Sequence, residues 1–261
     1  MKRIALTLIF AMMMTFTSVA QEKPKAEGPK ADAPKSDAKA AALPTVDAIL
    51  DKYVKAIGGK EAIEKIKSRT MKGSFDIEAM NMSGALEMVA KAPNKSAMKI
   101  DLPNFGVVNR VYDGAKGWDS NPMTGLREVS GVELAMMKRT SDFHLDLHLK
   151  SHYTKMEVKG KEQVGSYETY VIEATPAEGS VEKLFFDVST GLLVRQDAES
   201  DGPQGKMPIE TYMDDYKVVD GVKVAHTMKQ VNPMMTWAIK IAEVKSNVEI
   251  DEAKFSKPSG N

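Results

Sequence analysis

Three of the four histidines in the chain fall within one short stretch, Asp142-Phe-His144-Leu-Asp146-Leu-His148-Leu-Lys-Ser-His152. On a helix His144, His148 and His152 recur every four residues on one face, and two imidazoles so placed can share a zinc ion. On a strand His144, Asp146 and His148 share one side instead, opposite Phe143, Leu145, Leu147 and Leu149. A polar face opposite four apolar residues is equally the solvated side of an amphipathic element. No His-Glu-x-x-His signature occurs, and a catalytic zinc would need a base and an open coordination position that the sequence does not identify. The expectation is no metal and no cofactor, with His144, His148 and His152 as the residues that would take a metal.

Other chemistry is poorly represented. The chain has no cysteine, which removes disulfides, thiolate catalysis, Cys-based zinc sites and a lipidated Cys. It has no Gly-x-Ser-x-Gly elbow, no phosphate-cradling Gly-rich loop and no dinucleotide fingerprint. Asp214-Asp215 and Asp197-Ala-Glu199-Ser-Asp201 could pair carboxylates, but neighbouring strand residues point to opposite faces. The sequence points to a binding protein and not to an enzyme. Basic and acidic residues balance at 36 each, so no strong attraction to nucleic acid is encoded.

The elements that must position these residues follow from changes of period along the 261 residues. Lys2 and Arg3, the apolar run Ile4 to Thr17 and the small-x-small pattern Ser18-Val19-Ala20 read as a signal peptide over 1–20. Cleavage near Ala20 would send the chain to the periplasm or outside the cell. That apolar run is shorter than the roughly 20 residues a membrane span needs, so no transmembrane segment is expected in the mature chain. Residues 21–43, rich in Lys, Ala and Pro, lack apolar periodicity and read as a disordered linker. Residues 44–261 suffice for one domain.

Val46, Ile49, Leu50, Tyr53, Val54 and Ile57 recur at three- and four-residue intervals before Gly58-Gly59, which predicts a helix. Ala62, Ile63 and Ile66 predict a second, shorter one. From Arg69 the period becomes two, and turn signals punctuate it at Pro93-Asn94, Asp113-Gly114, Asn121-Pro122, Thr124-Gly125, Thr190-Gly191, Asp201-Gly202 and Asp220-Gly221. Roughly ten antiparallel strands result, with a helical insert between Gly131 and about Lys150 that would divide the sheet into two halves. A sheet of this size must curl, close or be covered. If it wraps short helices incompletely, an apolar cavity remains on its concave face. The 18 methionines, four of them in the first 20 residues, suit such a face, as they also suit ordinary core filling.

Four segments carry a family resemblance: Ile49-Leu-Asp-Lys-Tyr-Val-Lys-Ala-Ile-Gly-Gly-Lys-Glu-Ala, Lys91-Ala-Pro-Asn-Lys, Tyr112-Asp-Gly-Ala-Lys-Gly-Trp118 and Phe186-Asp-Val-Ser-Thr-Gly-Leu-Leu-Val-Arg195. Together they resemble the outer-membrane lipoprotein-sorting-protein-like group, relatives of the LolA and LolB carriers, over about Thr45 to Pro258. The resemblance implies a mainly antiparallel, incomplete β-barrel enclosing short helices, with a cavity that accepts acyl chains in the carriers. The cavity-lining expectation falls on Phe75, Met88, Trp118, Met136, Phe143, Leu147, Phe185, Met213 and Trp237. The expected partner is an apolar small molecule, lipid or acyl chain. The alternative is a cell-envelope interaction module whose barrel is plugged and whose partner is a protein.

Overall fold

The computed structural model describes residues 42–202 and 205–259. The expected signal peptide and nearly all of the expected linker lie outside the described residues. Among the described residues there are four α-helices: α1 (Val46–Ala56), α2 (Lys60–Lys65), α3 (Gly131–Thr140) and α4 (Leu145–His148). The first six strands are β1 (Ser68–Ile77), β2 (Met82–Lys91), β3 (Lys95–Leu102), β4 (Gly106–Tyr112), β5 (Gly117–Asn121) and β6 (Gly125–Glu128). After the helical insert come β7 (Tyr153–Val164), β8 (Tyr167–Pro176), β9 (Glu182–Asp187), β10 (Leu193–Gly202), β11 (Gly205–Val219), β12 (Val222–Val231) and β13 (Thr236–Ser246).

The thirteen strands form one antiparallel sheet in the order β6-β5-β4-β3-β2-β1-β13-β12-β11-β10-β9-β8-β7. Its edges are β6 and β7, so it is an unclosed half-barrel. The count exceeds the roughly ten read from turn signals because several connections lack strong ones. The β1–β2 link is a single 3-10 turn, Glu78–Met80, and the β3–β4 link carries Asn104 at φ 64°. The helical insert separates two groups of strands along the chain but does not split the sheet. It runs from one edge to the other, while β1 and β13 join the halves at the centre.

Helix α1 begins where Thr45 accepts a hydrogen bond from the Ala48 N–H at 3.2 Å. Its apolar stripe, Ile49, Leu50 and Tyr53, packs with Ile57, Ile63 and Ile66 on Ile172, Ala174, Leu184 and Phe186 of β8 and β9. The Tyr53 and Phe186 rings meet edge-on at 5.4 Å. The chain leaves α1 against the β11–β12 turn, where the Lys223 N–H donates to the Ile57 carbonyl at 2.7 Å. Gly58 makes this approach possible. Its φ is +132°, and a Cβ there would lie 2.3 Å from the Gly221 carbonyl oxygen.

Gly58→Ala combines a conformation that L side chains rarely adopt with a backbone clash, so it is expected to lower stability by about 2 kcal/mol or more. Urea unfolding of the two proteins checks this; an unchanged midpoint would mean that the α1 exit does not need the contact.

Candidate functional site

The inner face of the sheet is the one turned toward the helices. On its C-terminal half α1, α2 and α4 cover β8 and β9. On its N-terminal half and across the centre the apolar residues form a separate cluster, with Leu86, Ile100, Leu102, Ile239 and Ile241 buried. Half-buried around them are Met71, Phe75, Met88, Met98, Val108, Met228 and Trp237 among others. Every member of this cluster belongs to a strand except Phe105, in the β3–β4 loop. No helix packs into it among the described residues.

Strand register explains the row. Met71 pairs with Met88 and Met88 with Met98, placing three thioether side chains directly across three strands. Four residues along β1, Phe75 pairs with Ile239 and Ile239 with Met228, while Phe75 and Trp237 hold their rings 5.1 Å apart. Where the row passes beneath the helical insert it encloses a cavity of about 330 Å³. Its walls are Arg69, Met71, Met88, Met98 and Arg110 from the strands and Met137, Thr140, Ser141, Asp142 and Phe143 from the insert. That volume is at the lower end for a small-molecule site.

The insert is tied down from both sides. Met137 of α3 is buried with Tyr112 and Val129 beside the N-terminal strands. Two residues on, Arg139 forms a salt bridge with Glu182 of β9, a buried carboxylate that also accepts from the Tyr153 hydroxyl at 2.7 Å and the Gln196 amide at 2.9 Å. Burial, and then the adjacent Glu182 charge, push the Tyr153 hydroxyl well above its usual pKa.

The histidine stretch is a short helix continued by a 3-10 turn over Leu149–His152, so it follows neither simple sequence geometry. Asp142 Oδ2 is hydrogen-bonded to His148 Nδ1 at 2.8 Å and to His152 Nε2 at 2.7 Å. His144 is elsewhere, with its Nε2 2.9 Å from the Ile66 carbonyl oxygen. The three imidazoles therefore do not converge, and among the described residues no group of three His, Cys, Asp or Glu side chains is arranged to hold a metal ion. Burial alone would raise the Asp142 carboxyl, but hydrogen bonds from His152, His148 and the His144 backbone hold it below the usual range. Asp146 behaves oppositely. Burial raises it, even though the Tyr53 hydroxyl donates to its Oδ1 at 2.5 Å and Arg69 attracts the charged form.

The residues expected to line a cavity divide three ways. Phe75, Met88, Met213, Trp237, Phe143 and Leu147 lie on the inner face or in the insert over it, Phe143 in the turn between α3 and α4, with Met213 paired to Met228 in register. Trp118 and Phe185 are buried but face outward, which corrects their expected position. Trp118 pairs with Val111 one residue out of phase with Arg110, and Phe185 packs with Val164, Val171 and Val194 under the Arg195 guanidinium. Met136 is exposed on α3 and does not line this cavity. Of the carboxylates considered as pairs, Asp197 lies within β10 and accepts two hydrogen bonds from Arg195. The sequence does not single out Met71, Met98, Arg69 and Arg110. Their period of two was legible, as in Arg69-x-Met71-x-Gly73-x-Phe75, but the register that aligns them was not.

No family model matches the chain, and no curated protein matches it in sequence. Solved structures match its fold. A DUF1329 family protein from Desulfovibrio piger is 15% identical with a TM-score of 0.57, over 81% of this chain and 97% of that one. A domain assigned to outer membrane lipoprotein sorting, from Vibrio parahaemolyticus, is 12% identical with a TM-score of 0.56, over 80% and 96%. A LolA superfamily protein from Nitrosomonas europaea is 12% identical with a TM-score of 0.55, over 82% and 99%. The fold is the LolA-like half-barrel.

The two carboxylates predict opposite pH effects. Because folding lowers the Asp142 pKa, its stabilisation is present above the unfolded value of about 3.9 and is lost as pH falls through the folded value. Because folding raises the Asp146 pKa, its contribution declines as pH rises from about 3.9 through the folded value. Asp142→Asn is expected to lower the urea midpoint at pH 7 and lose less on acidification, and Asp146→Asn to raise the midpoint at pH 7. Urea titrations between pH 3 and 7 decide both signs.

Proposed function

We propose that this protein is an exported carrier or binding protein for an apolar ligand, a lipid or acyl chain, which lies along the inner face of the half-barrel. The observation that carries the reading is the methionine-rich strand cluster, into which no helix packs among the described residues and whose Met71, Met88 and Met98 floor the cavity beneath the insert. A sheet face of this composition left without packing partners is costly in water, whereas an acyl chain laid on it removes apolar surface from both. Unbranched thioether side chains adapt to chains of different outline without leaving voids. Met71, Met88, Met98, Phe75 and Trp237 are the contacts proposed, with Phe143 closing the site from the insert.

Export is supported by the sequence of the first 20 residues. No helix among the described residues is long and apolar enough to cross a membrane. The lipoprotein-sorting assignment belongs to the Vibrio domain, and one fold hosts many functions, so the ligand is argued from the inner face itself. Catalysis has no part in the proposal, because Asp142 and its two histidines act as a tie within the insert.

Burial of each methylene contributes about 0.8 kcal/mol, which is roughly fourfold in Kd. In a Trp118→Phe variant the remaining Trp237 reports on the inner face, and its fluorescence is expected to change on adding aliphatic chains. Affinity should rise about fourfold per carbon until the site is filled, and Met88→Glu should weaken binding at least tenfold. Native mass spectrometry of protein purified gently from its host is expected to show an added mass that organic extraction removes. Failure of every aliphatic probe to bind, together with a clean unliganded mass, would move the reading to a protein-binding module.

A further inference from the structure

We infer that the site takes an amphiphile with an anionic head, whose carboxylate or phosphate oxygens are received by Arg69 and Arg110 while the chain lies on the methionine row. The inference rests on the proposed function and specifies its ligand class.

Six residues of the cavity wall carry polar side chains: Arg69, Ser96, Arg110, Thr140, Ser141 and Asp142. Four of them are already engaged. Ser96 and Ser141 hydrogen-bond to each other at 2.7 Å, and the Thr140 hydroxyl donates back to the Met136 carbonyl at 3.0 Å. Asp142 would repel an anion, but its Oδ2 is shared by His148 and His152 and its Oδ1 accepts the His144 backbone N–H at 3.1 Å.

Arg69 is different. Its Nε is buried without a hydrogen-bond partner, and the side chain forms no ion pair within 4 Å among the described residues. Asp146 and Asp220 attract it only at longer range, and burial lowers its pKa in spite of them. A half-buried guanidinium with a buried, unpartnered Nε and no carboxylate at its fork is costly, and an arriving anion relieves that cost with charge-assisted hydrogen bonds. Arg139 also has one buried nitrogen without a partner, its Nη1, but differs in holding the carboxylate of Glu182.

Arg110 stands on β4, three strand spacings from Arg69 on β1, about 14 Å across the sheet. Among the described residues its one carboxylate contact is Glu133 at 3.4 Å. Glu133 is held mainly by Arg127, through bonds of 2.7 and 2.8 Å, which leaves Arg110 free to turn toward an anion. Two guanidinium groups thus flank a cavity whose floor is Met71, Met88 and Met98. Apolar floor and cationic rim together describe a chain with a negative end.

The test compares four probes of one chain length, dodecanoate, dodecyl phosphate, dodecanol and dodecyltrimethylammonium, below their micellar concentrations, with inorganic phosphate as a fifth. Both anionic probes are expected to bind at least tenfold tighter than the alcohol, and the cation no tighter than the alcohol. Arg69→Gln should bring the anionic probes to the level of dodecanol while leaving dodecanol unchanged. Arg69→Lys should recover part of the preference, and Arg110→Gln should reduce it. Unchanged dodecanol affinity in each variant shows that the site is still folded. Equal affinity for dodecanoate, dodecyl phosphate and dodecanol, or a preference that survives Arg69→Gln, would overturn the anionic head while leaving the apolar-ligand reading intact. Inorganic phosphate binding as tightly as dodecyl phosphate, with dodecanol not binding, would make it a free-anion site and overturn the amphiphile. Failure of every chain to bind would remove the apolar-ligand reading itself and this inference with it.

Discussion

The first strand of the sheet pairs with the last. Arg69 to Lys72 of β1 lie opposite Ser246 to Glu243 of β13, and after a bulge Gly73 to Asp76 lie opposite Ile241 to Ala238. Each half of the sheet is otherwise a meander of sequential neighbours, so this seam alone makes one curved surface out of two. At the bulge the approach at Gly73 excludes a side chain, since a Cβ there would stand 1.9 Å from the Lys240 carbonyl oxygen. The seam also sets the site, because Met71 and Phe75 on one side meet Val244 and Ile239 on the other. A contact between strands some 170 residues apart carries a high loop-closure cost, which must be recovered by the apolar surface the joined halves bury.

With the halves joined, the helices are too few to fill the concavity. Helices α1 and α2, together 17 residues, satisfy the C-terminal half, where Ile172, Leu184 and Phe186 are almost fully buried. The insert then crosses from β6 to β7 because the chain has to reach the far edge. It is anchored by Met137 on one side and by the Arg139–Glu182 pair on the other. A buried ion pair is weak as a source of stability but demanding in geometry, so it suits a segment that must be held over a cavity at a fixed height. Among the described residues the central strands keep Phe75, Met228 and Trp237 without a helical partner, and Met71, Met88 and Met98 meet the insert across the cavity.

The polar chemistry follows from the same placement. Asp142 and the two histidines tie the end of α3 to the next turn, which is why a stretch that looks like a metal site in the sequence acts as a fastening. Asp146, one turn further, is buried against Tyr53 and faces the charge of Arg69 across the interior. The buried, unpartnered Nε of Arg69 is a local cost, and such costs persist where a function uses them.

By itself the sequence determined the classes of element and their order. The three- and four-residue spacing from Val46 to Ile57, the doublet Gly58-Gly59, the period of two after Arg69 and the turns at Asp113-Gly114 and Asp220-Gly221 are local signals, and each acts within a few residues. The absence of cysteine and the balanced charge were equally legible, and four short segments carried the likeness to the half-barrel fold. What only the tertiary structure decided was which residues share a face across strands. Alternation tells Phe185 from Phe186 but not which of the two faces the helices, and Trp118 was misplaced for that reason. Register between strands distant in the chain brought Met71, Met88 and Met98 into one row and set Arg69 beside them, and no local pattern encodes it, because a shift of a single residue would turn every one of those side chains to the other side.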